Sequence, residues 1–460
     1  MRTTRPRTAS AMIHSADEIL NELPLQNIAN TFHNMNDLNR LTASEAARRI
    51  AAGKLSSEEL VAACLERIRK RDGEVQAWVH CDPDAALAQA RAIDKAGSRG
   101  TLAGIPVGFK DVIDTADMPT AYNSAIYRGY RPRTDAACVA LVRRAGGIIL
   151  GKTVTTEFAS RSPGPTRNPH NLAHSPGGSS SGSAAAVADF MVPLAFGTQT
   201  GGSTIRPASY CGIVGYKPSF GTINRAGLKP LAESLDTIGV MARSVEDCAL
   251  LVHAVSGRAL PDFSSPLPQP PRIGLHRTSR WKDASPEAQR ALEEAASALA
   301  KHGARVRELN LPADFDRLYD EQKLIMNFEA ARALAPEYLD HRDLLSAHMQ
   351  KMIPEYAAMG REPYASAMRH VRECRTVFAN VFSDVDVLLT PSAPGEAPEG
   401  IQETGSSVFN RNWTLLGVPC VTIPAGRGAK GLPLGVQFVG AYDDDERVLR
   451  CADWARAALD

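Results

Sequence analysis

Few of the features that tie a chain to a metal, a membrane or a nucleic acid are present here. The 460 residues include eight cysteines, at 64, 81, 138, 211, 248, 374, 420 and 451. None belongs to a C-x-x-C pair, so neither a disulfide framework nor a cysteine-rich zinc site is expected, and the thiols read as reduced core residues. No run approaches the roughly 18 to 20 apolar residues that a membrane-crossing helix needs. The N-terminus carries Arg2, Arg5 and Arg7 without the apolar stretch of a signal peptide. With a formal net charge of +1 and no long single-sign run, the electrostatic footprint of a nucleic-acid or membrane-surface binder is missing too. These absences point to a cytoplasmic protein whose partner is a small molecule.

What is present is an ordinary globular composition, 44% apolar and 22% charged, long enough to bury a large core. Residues 1–40 read as a partly disordered arm. Thr42 with Glu45 and Ser56 with Glu59 have the S/T-x-x-E spacing of capping boxes, so two helices are expected after it. From about 100 to 260, short apolar runs such as Gly147-Ile148-Ile149-Leu150 alternate with Gly-, Ser- and Pro-rich loops and Ala-rich helical stretches, the texture of an α/β fold. Pro266, Pro268, Pro270 and Pro271 mark a break. Beyond it Arg272 to His276 reads as a strand and Ser285-Pro286-Glu287 as a helix start. A mainly helical insertion then extends over about 260–385, with Met326, Phe328, Tyr356 and Tyr364 read as core and lid packing. Val385 to Leu389 resumes a buried strand. The reading is one domain, 41–460, interrupted by an insertion that caps its site.

Two serine clusters and one lysine carry the candidate chemistry. Gly177-Gly178-Ser179-Ser180-Ser181-Gly182-Ser183 opens directly onto the helix-prone Ala184 to Ala188, and free N–H groups at a helix start favour anions. Gly197-Thr198-Gln199-Thr200-Gly201-Gly202-Ser203 follows; its two glycines let the N–H groups of Gly201, Gly202 and Ser203 converge as an oxyanion hole does. A serine nucleophile needs a base. His170 and His174 lie near the first cluster, yet no pattern singles out the acid that a Ser-His-Asp site requires. Residues 178–182 formally satisfy G-x-S-x-G, but a nucleophile elbow follows a strand and 168–176 does not read as one. Lys110, inside the apolar run Gly104-Ile105-Pro106-Val107-Gly108-Phe109-Lys110-Asp111, is the stronger candidate, because burial lowers a lysine's pKa into the range of a usable base. Its alternative is an ion pair with Asp111 or a path to solvent.

Residues 104–111, 177–183 and 197–203 together resemble the blocks of the amidase signature family of Ser-Ser-Lys hydrolases. Lys217-Pro218-Ser219-Phe220-Gly221, Ser234-Leu235-Asp236-Thr237, Ala242-Arg243-Ser244-Val245, Gly417-Val418-Pro419 and Gly431 to Gln437 are similar to further blocks in the family's order. The resemblance spans roughly 41–450. It implies a single large α/β domain with a central mixed β-sheet flanked by helices, and no metal or organic cofactor. It makes Ser203 the nucleophile, Ser179 the bridging serine at a cis peptide bond, Lys110 the base, and Thr200, Gly201 and Gly202 the oxyanion hole. Aryl or aliphatic amides are the substrates it suggests first, then carbamates, urethanes and esters. A homodimer is among the expected assemblies. One component of an amidotransferase complex that works on charged tRNA, and a non-catalytic binding protein, are the rival readings. One departure stands out: many members have an acid where this chain has Gln199, and Thr204 displaces the arginine to Arg206. A buried acid–arginine support pair replaced as a unit would explain it; otherwise Arg206 faces substrate or a structural carboxylate.

Overall fold

The computed structural model describes residues 37–97 and 99–459. Short, β-branched and glycine-spaced runs become eleven strands: β1 (Trp78–Cys81), β2 (Pro106–Lys110), β3 (Ile148–Thr153), β4 (Leu194–Gln199), β5 (Val214–Lys217), β6 (Thr237–Ala242), β7 (Arg272–Leu275), β8 (Arg305–Glu308), β9 (Val387–Pro391), β10 (Cys420–Arg427) and β11 (Pro433–Val439). They form one sheet in the order β1-β3-β2-β4-β6-β5-β10-β11-β9-β7-β8. The sheet is mixed. β3, β2 and β4 run parallel, as do β9, β7 and β8, and an antiparallel centre joins them. β2, β3, β4 and β6 are buried at every residue, which is why they read as continuous rather than alternating apolar runs.

This topology positions the site. β2 and β4 are adjacent and parallel, with Val107 opposite Leu194 and Phe109 opposite Phe196. Their carboxyl ends, Lys110 and Gln199, therefore emerge at the same edge, the side on which open α/β sheets carry their ligands.

Local chemistry sets the helix starts. Ser56 forms a complete capping box: its hydroxyl accepts from Glu59 N at 3.1 Å and its N–H donates to Glu59 Oε2 at 2.8 Å. The box expected at Thr42 is only half formed. Thr42 Oγ1 accepts from Glu45 N at 3.2 Å, but the Glu45 carboxylate turns to Arg49 at 2.7 Å, because a guanidinium one turn on is the stronger partner. Ser285 caps the helix Pro286–Lys301 as its sequence suggests.

The segment 260–385 is less purely helical than its sequence reads, since β7 and β8 extend the central sheet. Its second half is helical: Leu318–Ala333, Ala335–His341, Ala347–Ala357 and Arg361–Ala379. Buried polar contacts fasten these helices to the sheet domain. Tyr127 Oη donates to Glu337 at 2.6 Å, Ser234 Oγ to Glu329 at 2.6 Å and Ser346 N to Glu157 at 3.0 Å. Phe328 and Tyr364 stack with centroids 4.4 Å apart, the packing role expected of them. Of the N-terminal arm, residues 1–36 lie outside the described residues; Leu38–Arg40 is a short 3-10 turn whose Asn39 donates to Phe190 O at 3.0 Å. All eight cysteines are free thiols, seven of them buried. No helix among the described residues is long and apolar enough to cross a membrane.

Candidate active site

Lys110 closes β2 without any exposure. Its Nζ donates to Ser179 Oγ at 2.8 Å and to Thr198 Oγ1 at 2.6 Å. Burial pushes its pKa down to about 7; Asp236 pulls upward against this and the Arg206 charge adds to it. The ion pair with Asp111, the alternative that the sequence left open, does not form. Asp111 instead accepts from Ala121 N at 3.1 Å and lies 3.6 Å from Lys152 Nζ. Thr198 was not legible as a site residue: its link to Lys110 comes from strand pairing between β2 and β4, not from any local motif.

The first glycine-serine loop is bolted to the end of β4. Ser180 Oγ accepts from Thr198 N at 3.1 Å and donates to Thr198 O at 3.3 Å, standing in for a strand neighbour. The Gly178–Ser179 peptide is cis, at the position that the resemblance implied. The helix Ser181–Ala188 starts here so tightly that a Cβ on Gly182 would lie 2.2 Å from Ala77 O and 2.3 Å from Val154 N, which only glycine allows.

In the second loop four successive carbonyls turn into the protein. Thr200 O accepts from Gln322 Nε2 at 2.7 Å, Gly201 O from Thr414 Oγ1 at 2.7 Å, Gly202 O from Arg206 N at 3.0 Å and Ser203 O from Ser180 N at 3.3 Å. The N–H groups of Gly201, Gly202 and Ser203 donate to no protein acceptor among the described residues. Peptide planes whose carbonyls are fixed inside the protein turn their N–H groups to the opposite side. Thr200 is held in turn, its hydroxyl donating to Asp236 Oδ1 at 2.6 Å while Asp236 Oδ2 accepts from Leu231 N and Ala232 N at 2.8 and 2.9 Å. A Cβ on Gly202 would meet Asn410 Oδ1 at 2.4 Å and Ser407 Cβ at 2.8 Å. Gly202→Ala must therefore shift the loop, and kcat/KM is expected to fall by about 10²-fold or more, the scale of one lost oxyanion donor; unchanged kinetics would show that the loop's register is immaterial.

Gln199 and Arg206 do not bond to one another. Buried Gln199 accepts from Thr204 N and Ile205 N through Oε1, at 2.9 and 3.1 Å, and donates from Nε2 to Thr414 Oγ1 at 3.0 Å. It caps the turn that follows Ser203. Arg206 faces carbonyls: Nε reaches Gly178 O at 3.2 Å, Nη1 reaches Gly405 O at 2.5 Å, and Nη2 reaches Gly178 O at 2.5 Å and Thr404 Oγ1 at 3.2 Å. Among the described residues no carboxylate lies within ion-pair distance of it. Burial brings its pKa down to about 10. Gln199→Asp would bury a carboxylate with no cation beside it and break the Thr414 contact. A melting temperature lower by several degrees is expected, the equivalent of about 1–3 kcal/mol for unmet buried polar groups; equal melting would show that the amide is not required.

The histidine alternative fails on geometry, since His170 Nε2 contacts Cys211 O at 2.9 Å and His174 makes no hydrogen bond through its ring. No strand precedes the 178–182 turn within 168–176, so the elbow reading fails as well. Phe409 and Trp413 are core residues, Trp413 packing on Phe378 and His276. Ser407, just before them, meets the Ser203 loop, its Cβ 2.8 Å from the Cβ position of Gly202.

A buried lysine bonded to a serine beside a second glycine-serine turn is an arrangement suited to acyl transfer. The family model for amidases matches residues 59–449, and the chain belongs to the amidase family, enzymes that act on carbon–nitrogen bonds. A glutamyl-tRNA(Gln) amidotransferase subunit of Chloroflexus aggregans (strain MD-66 / DSM 9485) is 35% identical over 477 residues, covering 91% of this chain and 96% of that one. The solved structure of 6-aminohexanoate cyclic dimer hydrolase complexed with substrate matches with a TM-score of 0.83 at 26% identity, over 92% of this chain and 98% of that chain. Peptide amidase from Stenotrophomonas maltophilia matches at 0.78 and 30% identity, over 91% and 96%.

Proposed function

We propose that this chain is a cytoplasmic amidase of small molecules, working as a monomer or homodimer through an acyl-enzyme on Ser203. The observation that carries the reading is the 2.8 Å contact between Lys110 Nζ and Ser179 Oγ beside a serine loop whose N–H groups are free. Neutral Lys110 takes a proton from Ser179 as Ser179 takes one from Ser203, whose oxygen attacks the acyl carbon. The oxyanion forms against the N–H groups of the Thr200 to Ser203 turn, each donor worth roughly 3–4 kcal/mol in comparable sites. Ser179 then passes the proton to the leaving nitrogen, because an amide anion is too basic to depart unprotonated. Water attacking the acyl carbon restores Ser203. Carbamates, urethanes and esters fit the same sequence of steps.

A second reading is favoured by one observation, the name shared by the curated relatives at 33–36% identity, each a subunit of a glutamyl-tRNA(Gln) amidotransferase. On that reading the chain works inside a complex on charged tRNA. The structural relatives named as amidase, peptide amidase and cyclic dimer hydrolase support the first reading. The purified chain is assayed alone on anilides, primary amides, carbamates and nitrophenyl esters, with Ser203→Ala as control. Turnover by wild type only is the expected result. Silence across the panel, with activity appearing only when charged tRNA and partner proteins are added, would establish the second reading instead.

A further inference from the structure

Several arginines elsewhere in this protein meet acids: Arg67 and Arg71 share buried Asp189, and Arg272 takes Asp386. Around the Ser203 site they do not. Arg411 opens the helix Arg411–Leu416 and donates from Nε to Ser407 Oγ at 3.1 Å. Ser407 lies directly on the oxyanion loop, its Oγ 3.6 Å from the Cβ position of Gly201 and its Cβ 2.8 Å from that of Gly202. The same helix fixes Gly201 O through Thr414, so the Arg411 guanidinium is anchored within a side chain's reach of the reacting serine. Thr156 N donates to Ser179 O at 3.3 Å and Thr156 Oγ1 to Ser160 O at 3.0 Å, which ties the residue before Arg161 to the segment of the bridging serine. Arg161 is exposed and makes no hydrogen bond or ion pair among the described residues. The positive charges act on one another: burial and then Arg161 lower the pKa of Arg411, with Arg280 adding to this, and Arg411 and Arg161 both lower that of Arg206. The acids nearby are occupied or distant. Glu157 accepts the Ser346 N–H through Oε1 and keeps Oε2 buried, outside ion-pair distance of either arginine, and Asp320 favours the charged form of Arg411 from beyond ion-pair distance.

Arg206 is already engaged by Gly178 O, Gly405 O and Thr404 Oγ1, which leaves Arg411 and Arg161 as the neighbouring guanidinium groups with N–H donors to spare among the described residues. Cations crowded in this way gain most from an anion, and a planar fork suits a carboxylate. We propose that Arg411 and Arg161 form a carboxylate-binding subsite beside Ser203, so that the preferred substrate is an amide or carbamate that also bears a carboxylate. This rests on the amidase reading above and names its substrate class.

The test compares the 4-nitroanilides of butyric acid and of succinic acid, alike in length but neutral or anionic at the far end. Wild type is expected to favour the succinyl compound on the order of 10- to 100-fold in kcat/KM, mostly through KM, as charge-assisted contacts allow. Arg411→Gln and Arg161→Gln should each shrink that ratio by about tenfold. Arg161 is exposed, so its variant reports even if the Arg411 variant folds poorly. Competition by succinate but not by butyrate, measured as inhibition constants in wild type and weakened in both variants, is the second expected readout. Equal kcat/KM for the two anilides, or a preference untouched by both substitutions, overturns the subsite while leaving the amidase reading intact. Failure to turn over either anilide, with no succinate-dependent thermal shift, removes both.

Discussion

Ser203→Ala loses turnover of every substrate that wild type hydrolyses, by about 10⁴-fold or more in kcat, the scale on which a serine nucleophile matters in well-studied hydrolases. No other group stands in the same relation to the free donors. Among the described residues Gly201, Gly202 and Ser203 keep their N–H groups unpaired while their carbonyls are bound to Thr414, Arg206 and Ser180, which suits an oxyanion formed when an oxygen attacks from this turn. Ser203 is itself shielded, with 8% of its surface exposed, and a water entering in its place would lack the covalent anchor. Intact-protein mass spectrometry with a slowly released carbamate gives a direct view: wild type gains the acyl mass on the peptide containing Ser203, and the variant does not. Equal turnover by both proteins would remove the central claim.

Lys110→Ala is expected to lower kcat/KM by about 10²- to 10⁴-fold, the usual contribution of a positioned general base. The pH profile adds a test that a structural role would not pass. The base must be neutral, and Lys110 is held at about 7 by burial, so wild-type kcat/KM climbs as pH rises through the neighbourhood of 7 and levels above it. Arg206 pushes that value down and Asp236 pulls it up; neutralising Arg206 by Arg206→Gln therefore moves the acid limb to higher pH. Stability follows with its own sign. A folded-state pKa below the unfolded value of about 10.4 means that the unfolded chain binds more protons between the two values, so this group makes the protein more stable as pH rises from about 7 toward 10. Lys110→Met, free of that term, should gain on wild type at acid pH and lose the advantage at alkaline pH. A flat difference in melting temperature across the range, together with an unshifted acid limb in Arg206→Gln, would mean that Lys110 is already charged in the folded protein.

The site was legible to different depths at different residues. Glycine pairs beside Ser179 and Ser203 announce close backbone approaches in any reading, because few other residues tolerate them, and Gly182 and Gly202 bear this out with contacts that would leave no room for a Cβ. Lys110 could be placed in an apolar run, but whether it met Asp111 or a serine depended on which strand lay beside β2. Thr198, Asp236, Gln322 and Thr414 were invisible as site residues. They hold Lys110 and the oxyanion turn from 36 to 213 residues away or across a strand pair, and no local spacing encodes such distances. The partners of Gln199 and Arg206 were hidden for the same reason: each found them in segments remote from the loop, Thr414 for one and Gly405 for the other. In the insertion the strand at Arg272 was legible and is β7, whereas β8 was not, and both join the main sheet because an edge beside β9 was there to pair with.

By itself, then, the sequence determined the α/β class, the two serine loops and the family blocks in order, since these rest on local backbone demands of glycine, on hydrophobic period and on motif spacing. Tertiary structure alone decided that Lys110 is dry and faces Ser179, that four carbonyls turn away from the Ser203 pocket, and that Arg411 and Arg161 lack acidic partners. Burial, desolvation and charge pairing are properties of what packs around a residue, and that is fixed only when distant strands and helices meet.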